Sequence, residues 1–125
     1  MLSDKTSSAI VGVSDIDRAR RFYTDTLGLN AADGEQDGML SYRTGDTSLT
    51  VYQSDNYRPG TGNAVAWSGG GDVEAIARKL RDDGVRLEEY PDMGMEIADG
   101  VHRQGAFRGI WFRDPDGNIL HVNSM

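Results

Sequence analysis

Cysteine is absent from the 125 residues, which removes disulfide frameworks, thiolate-bound zinc, iron–sulfur clusters and cysteine nucleophiles from consideration. Histidine is scarce: His102 and His121 are the only two, so a metal centre would need carboxylate, amide or hydroxyl ligands beside them. No run of about 18 apolar residues occurs, so no membrane span is expected. The opening Met1-Leu2-Ser3-Asp4-Lys5 lacks the basic, apolar, small-residue order of a signal peptide, and a cytoplasmic address is the expectation. Positive charge is the minority sign, 13 Lys and Arg against 20 Asp and Glu, leaving a net charge of -7. That field repels phosphate backbones and anionic lipid, which sets nucleic acid and membrane surfaces aside as partners.

What remains is an ordinary globular balance, 38% hydrophobic with 16 glycines, at a length that suits one domain over residues 1–125. Two segments share one grammar. In the first, Ala9 to Val13 is a short β-branched strand, and Ser14-Asp15-Ile16-Asp17 supplies an N-cap with an acid three residues on. Ile16, Ala19, Phe22, Tyr23 and Leu27 then recur at helical steps over residues 16–27, until Gly28 offers a left-handed stop. In the second, Ala64 to Trp67 is the strand and Asp72 the cap. Val73, Ile76, Ala77 and Leu80 form the apolar stripe, and Gly84 is the stop. Strands are expected at Leu29 to Ala32 and at Val85 to Glu89. Hairpins follow at Met39 to Arg43 with Ser48 to Gln53, and at Phe107 to Arg113 with Ile119 to Asn123. Their turns, Thr44 to Thr47 and Asp114 to Asn118, are dense in turn-forming residues. The pattern is βαβββ twice: module 1 over about 6–53, a linker over about 54–62 and module 2 over about 63–125. Pro91 to Gly105, with Met93, Met95, Glu96 and His102, reads as a long irregular loop and a lid candidate.

This grammar, with Arg21-Phe22-Tyr23-Thr24-Asp25-Thr26-Leu27-Gly28-Leu29 early and Phe112-Arg113-Asp114-Pro115-Asp116-Gly117-Asn118-Ile119-Leu120 late, resembles the vicinal oxygen chelate superfamily of glyoxalases, bleomycin-resistance proteins and extradiol dioxygenases. The resemblance implies an α+β fold in which two tandem βαβββ modules form a curved, cup-shaped mixed sheet with helices on the convex face. It also implies a homodimer and a ligand on the concave side. Strand alternation then sorts the residues. Leu49, Val51, Leu120, Val122 and Phe112 face the helices. Ser48, Thr50, Tyr52, Ile119, His121, Asn123, Phe107, Trp111 and Arg113 face the cup, with Met39, Ser41 and Arg43 as first-module counterparts.

Metal-dependent relatives take ligands from four strand positions. By the resemblance these fall on Ser8, Thr50, His121 and a residue near Asn63 to Val65. Only His121 is a strong ligand, and recruiting Glu96 or His102 from the long loop would be an unusual construction. The expectation is a cup without metal or cofactor. Its candidate catalytic groups are His121 and Thr50, and its candidate ligand contacts are Ser8, Ser48, Tyr52, Trp67, Phe107, Trp111, Asn123, Glu96 and His102. Three readings compete. The first is a bleomycin-resistance-like protein holding a small planar or amphipathic molecule between aromatic side chains. The second is a metal-free isomerase or lyase with His121 as acid or base and a hydroxyl or amide on the developing oxyanion. The third is a metal-dependent glyoxalase or dioxygenase. Gly69-Gly70-Gly71 lacks the lysine and hydroxyl of a phosphate loop, and Asp114 to Gly117 has the spacing of a hairpin turn rather than a calcium loop.

Overall fold

The computed structural model describes residues 1–32 and 36–125. The chain divides into two compact units, Met1–Pro59 and Gly60–Met125. In the first, β1 (Ala9–Val13) leads into α1 (Ile16–Arg20). The cap is Asp15, whose carboxylate accepts from the backbone N–H of Asp17 and of Arg18 at 3.1 Å each. The expected box of Ser14 with Asp17 gives way to this because aspartate caps as well as serine. The Asp17 carboxylate instead accepts from Arg20 at 2.6 Å.

Past Arg20 the helix widens, against the regular helix expected over 16–27. Arg21–Thr26 is π-helical, with the Leu27 N–H reaching back to the Phe22 carbonyl at 2.9 Å. The widened turn carries Tyr23, fully buried, onto Tyr42 at 6.2 Å between ring centroids. Gly28, at φ 69°, ends it. Strands β2 (Asn30–Ala31), β3 (Met39–Thr44) and β4 (Thr47–Gln53) complete an open sheet in the order β1-β4-β3-β2. Only β1 and β4 run parallel. Helix α1 packs on β3 and β4. Val11, Val13, Leu40, Tyr42, Leu49 and Val51 are buried, while Ser41, Thr50 and Tyr52 on the alternate parity are half-buried.

The second unit opens with β5 (Asn63–Ser68), one 3-10 turn over Gly70–Asp72, and α2 (Val73–Asp82). Asp72 holds the cap position but its side chain bonds no backbone N–H. Gly69 is needed for close approach: a Cβ there would lie 2.8 Å from Val122 and 3.1 Å from Val73. Two expectations fail beyond the helix. Val85 to Glu89 is not a strand; it contributes a single bridge from Leu87 to Phe112 and the Glu88 N–H to the Trp111 carbonyl at 2.7 Å. Pro91 to Gly105 is not an irregular lid. It holds a 3-10 turn over Pro91–Met93 and then the hairpin of β6 (Glu96–Ala98) and β7 (Val101–Gln104). Asp99 and Gly100 at its tip both take positive φ, 54° and 81°, the backbone that Asp-Gly hairpins adopt.

With β8 (Phe107–Arg113) and β9 (Ile119–Asn123) the sheet order is β5-β9-β8-β7-β6. Helix α2 packs on β8, and its Glu74 pairs with Arg108 at 3.3 Å and Arg103 at 3.6 Å. The β8–β9 turn closes on itself. The Asp114 carboxylate accepts from the N–H of Asp116, the N–H of Asn118 and the Asn118 amide, the structural role that its spacing implied. The fold is thus α+β, two mixed sheets of four and five strands, each with one helix on it. No helix among the described residues is long and apolar enough to cross a membrane.

Candidate functional site

Register decides which side chains meet. In the second sheet Trp111 stands opposite His121, and Gly109 stands between Asn123 and His102. Cross-strand neighbours share a face, so these residues gather on the side away from Leu120, Val122 and Phe112. Four rings assemble there. The Trp111 indole stacks on the His121 imidazole at 4.2 Å and 19°. His102 and Tyr90 meet Trp111 edge-to-face at 4.9 Å and 5.5 Å, and each other at 6.0 Å. Trp111 and His121 keep only 6% and 7% exposure, and His102 none.

The hydrogen bonds fix the proton on His121. Its Nδ1 lies 2.9 Å from the Ile110 carbonyl oxygen, which can only accept, so Nδ1 carries the hydrogen. Asn123 Oδ1 accepts from the Met125 N–H at 3.0 Å, which turns the amide nitrogen toward His121 Nε2 at 3.1 Å. Nε2 is therefore an unprotonated acceptor, and both nitrogens are taken within the second unit rather than by Thr50. Burial pushes the imidazole below its ordinary pKa of 6.5; the Ile110 carbonyl pulls it back up, and nearby His102 adds to the depression. His102 Nε2 accepts from the Tyr90 N–H at 3.0 Å, and its Nδ1 is buried without a partner.

Phe107 belongs to the same face. A Cβ on Gly109 would lie 2.8 Å from the Phe107 ring and 3.3 Å from His121 Cε1, so the missing side chain of Gly109 is what lets that ring lie beside the imidazole. Two other expected contacts lie on the opposite parity. Trp67 pairs with Val122, and Glu96 pairs with Arg103, whose partner Glu74 is on α2. Ser8, Ser48, Thr50 and Tyr52 belong to the first unit. There Ser48 donates to Ser8 Oγ at 3.2 Å, and Thr50 stands opposite Ser41.

Beside the ring cluster, still within the second unit, is a hollow of about 340 Å³ lined by Tyr90, Met93, Trp111, Ile119, Asn63 and Arg113, with Gly60 and Thr61 at one side. Tyr90 is the residue that sequence reasoning missed. It lies on no strand, so alternation could not assign it a face; the Pro91 beside it marks the turn that presents it.

The chain matches the Glyoxalase/Bleomycin resistance protein/Dioxygenase superfamily over residues 6–122. It belongs to that superfamily. Among relatives, it is 28% identical over 128 aligned positions to Virulence protein STM3117 of Salmonella typhimurium, covering 98% of this chain and 85% of that one. It resembles in fold the integron cassette protein HFX_CASS4 from the Halifax Harbour sewage-outfall metagenome (TM-score 0.71, 14% identity, 98% of this chain and 99% of that one). It likewise resembles lactoylglutathione lyase of Agrobacterium tumefaciens (TM-score 0.69, 16% identity, 96% and 92%). These structural likenesses show the fold; the superfamily's chemistry depends on the residues placed in it.

Tested against the metal positions of metal-dependent superfamily members, those residues do not fit. Ser8 and Thr50 offer hydroxyls, which are poor ligands without a carboxylate beside them. The one lone pair on His121 already accepts from Asn123. Among the described residues no three His, Cys, Asp or Glu side chains converge.

Proposed function

We propose that this superfamily member is a binding protein, holding a small planar molecule against Tyr90 and Trp111 without a metal ion and without turnover. The observation that carries the reading is the 340 Å³ hollow lined by two aromatic rings, a methionine and an isoleucine with few polar groups, the composition and lower size range of small-molecule sites. The four-ring cluster behind it supports the same reading, because a wall already packed loses little freedom on binding.

The competing proton-transfer reading draws on the unprotonated Nε2 of His121. That lone pair is engaged by Asn123, and the ring lies beneath Trp111, so using it as a base would first cost a hydrogen bond. As a binding protein the chain can also act as a homodimer, with the edge strands β1, β2, β5 and β6 as the unpaired surfaces to cover; light scattering reads this directly.

The test uses a Trp67→Phe background, in which Trp111 is the sole indole, titrated with naphthyl compounds of either charge and followed by fluorescence. Saturable binding is expected, with Trp111→Ala weakening it about tenfold or more by calorimetry. Tyr90→Ala, altering a half-buried residue, should act in the same direction. Unchanged affinity in both variants would overturn the reading. Catalytic consumption of a bound compound that stops in His121→Gln would replace it with the proton-transfer one.

A further inference from the structure

The sign of charge inside the hollow opposes that of the whole protein. The chain carries a net charge of -7, yet Arg113 is the only charged side chain among the described residues lining the cavity, and its polar companions, Thr61 and Asn63, are neutral. Net charge governs the far field, whereas a ligand in a cleft responds to the groups that line it.

Arg113 is also held in place. Its Nε donates to Glu88 at 2.6 Å and its Nη1 to the Gly117 carbonyl at 3.0 Å. Two anchors fix the guanidinium plane, and Nη2 has no partner among the described residues. An arginine with a fixed plane and an uncommitted amino group, Nη2, is placed to donate a charge-assisted hydrogen bond to one oxygen of a carboxylate, with part of the ordering cost already met. The aromatic wall of Tyr90 and Trp111 adjoins it in the same cavity.

Resting on the binding reading above, we propose that the ligand is a planar aromatic carboxylate, its ring against Tyr90 and Trp111 and its acid group on Arg113. Glu88 offsets part of the arginine's charge without lining the cavity, so the selection is for an anion that also accepts hydrogen bonds rather than for negative charge alone.

Three probes sharing one ring system separate the two readings: 2-naphthoate, 2-naphthamide and 2-naphthylmethylammonium, titrated calorimetrically at low and at physiological salt. The carboxylate is expected to bind about tenfold tighter than the amide, with the ammonium weakest. The margin should narrow as salt rises, because Arg113 is 46% exposed. Arg113→Gln should erase the margin while leaving amide affinity in place, and Arg113→Lys should keep part of it. Equal affinity for all three probes with dependence on Trp111 intact would overturn this inference alone. Failure of every probe to bind would overturn the pocket reading with it. A carboxylate preference that persists in Arg113→Gln would also reject the assignment.

Discussion

Where the second unit sets His121 against Trp111, the first sets Thr50 against Ser41. The frames around these pairs correspond: Tyr42 stands opposite Leu49 as Phe112 stands opposite Leu120, all four buried. One backbone plan therefore repeats its helix-facing residues in kind and changes the central pair of its other face from small hydroxyls to rings. In the second unit β7, which lies beside β8 as the two-residue β2 lies beside β3, is longer and is extended by one further strand, β6; it supplies His102 and so completes the cluster that the first unit lacks. Packing sets the shared face; the free face is where chemistry differs.

The largest way to break the comparison is to remove what the units share. Phe112→Ala should cost about 3–5 kcal/mol by chemical denaturation, and Tyr42→Ala should fall in the same range if the correspondence holds. Next comes the contact peculiar to the second unit. Gly109→Ala drives a Cβ into the Phe107 ring and should cost about 1–3 kcal/mol, read as a lower Tm. The equivalent first-unit position is occupied by Met39, 40% exposed.

The caps give a smaller contrast. Asp15→Ala should lower Tm, since its carboxylate serves two N–H groups, whereas Asp72→Ala should leave it nearly unchanged. The Asp15 carboxyl is held below its ordinary pKa, first by the Arg18 N–H, so its contribution is present at neutral pH and lost as pH falls through that lowered value.

Last is His121. Burial depresses its pKa below 6.5, so as pH drops through 6.5 the unfolded chain takes up the proton before the folded one does. Stability contributed by the neutral ring is complete above that point and declines below it. Tm measured from pH 7.5 downward should show the decline, and His121→Gln should flatten it.

Much of this frame was legible in the residues. β1, both long hairpins and the stops at Gly28 and Gly84 follow from alternation and turn chemistry, and the same parity brought His121, Trp111, Asn123 and Phe107 to one face. The β6–β7 hairpin escaped because its strands are short and polar, although Asp99-Gly100 is a strong two-residue hairpin signal. Reading Pro91 to Gly105 as an irregular lid loop therefore misses that His102 is among the most buried residues. The π-helical turn at Arg21 left no trace in a three-and-four spacing that a regular helix satisfies equally well. Tyr90 and the role of Gly109 depend on contacts between segments, which no local pattern encodes.

The ring resting over Gly109 has a use in redesign. Because Phe107 occupies space that a glycine leaves vacant, trimming it to alanine would open a slot along the edge of His121 without disturbing the Trp111 wall. That space would lie outside the lining of the Tyr90 and Trp111 hollow, which does not include Phe107, so it could be reshaped separately from the proposed site.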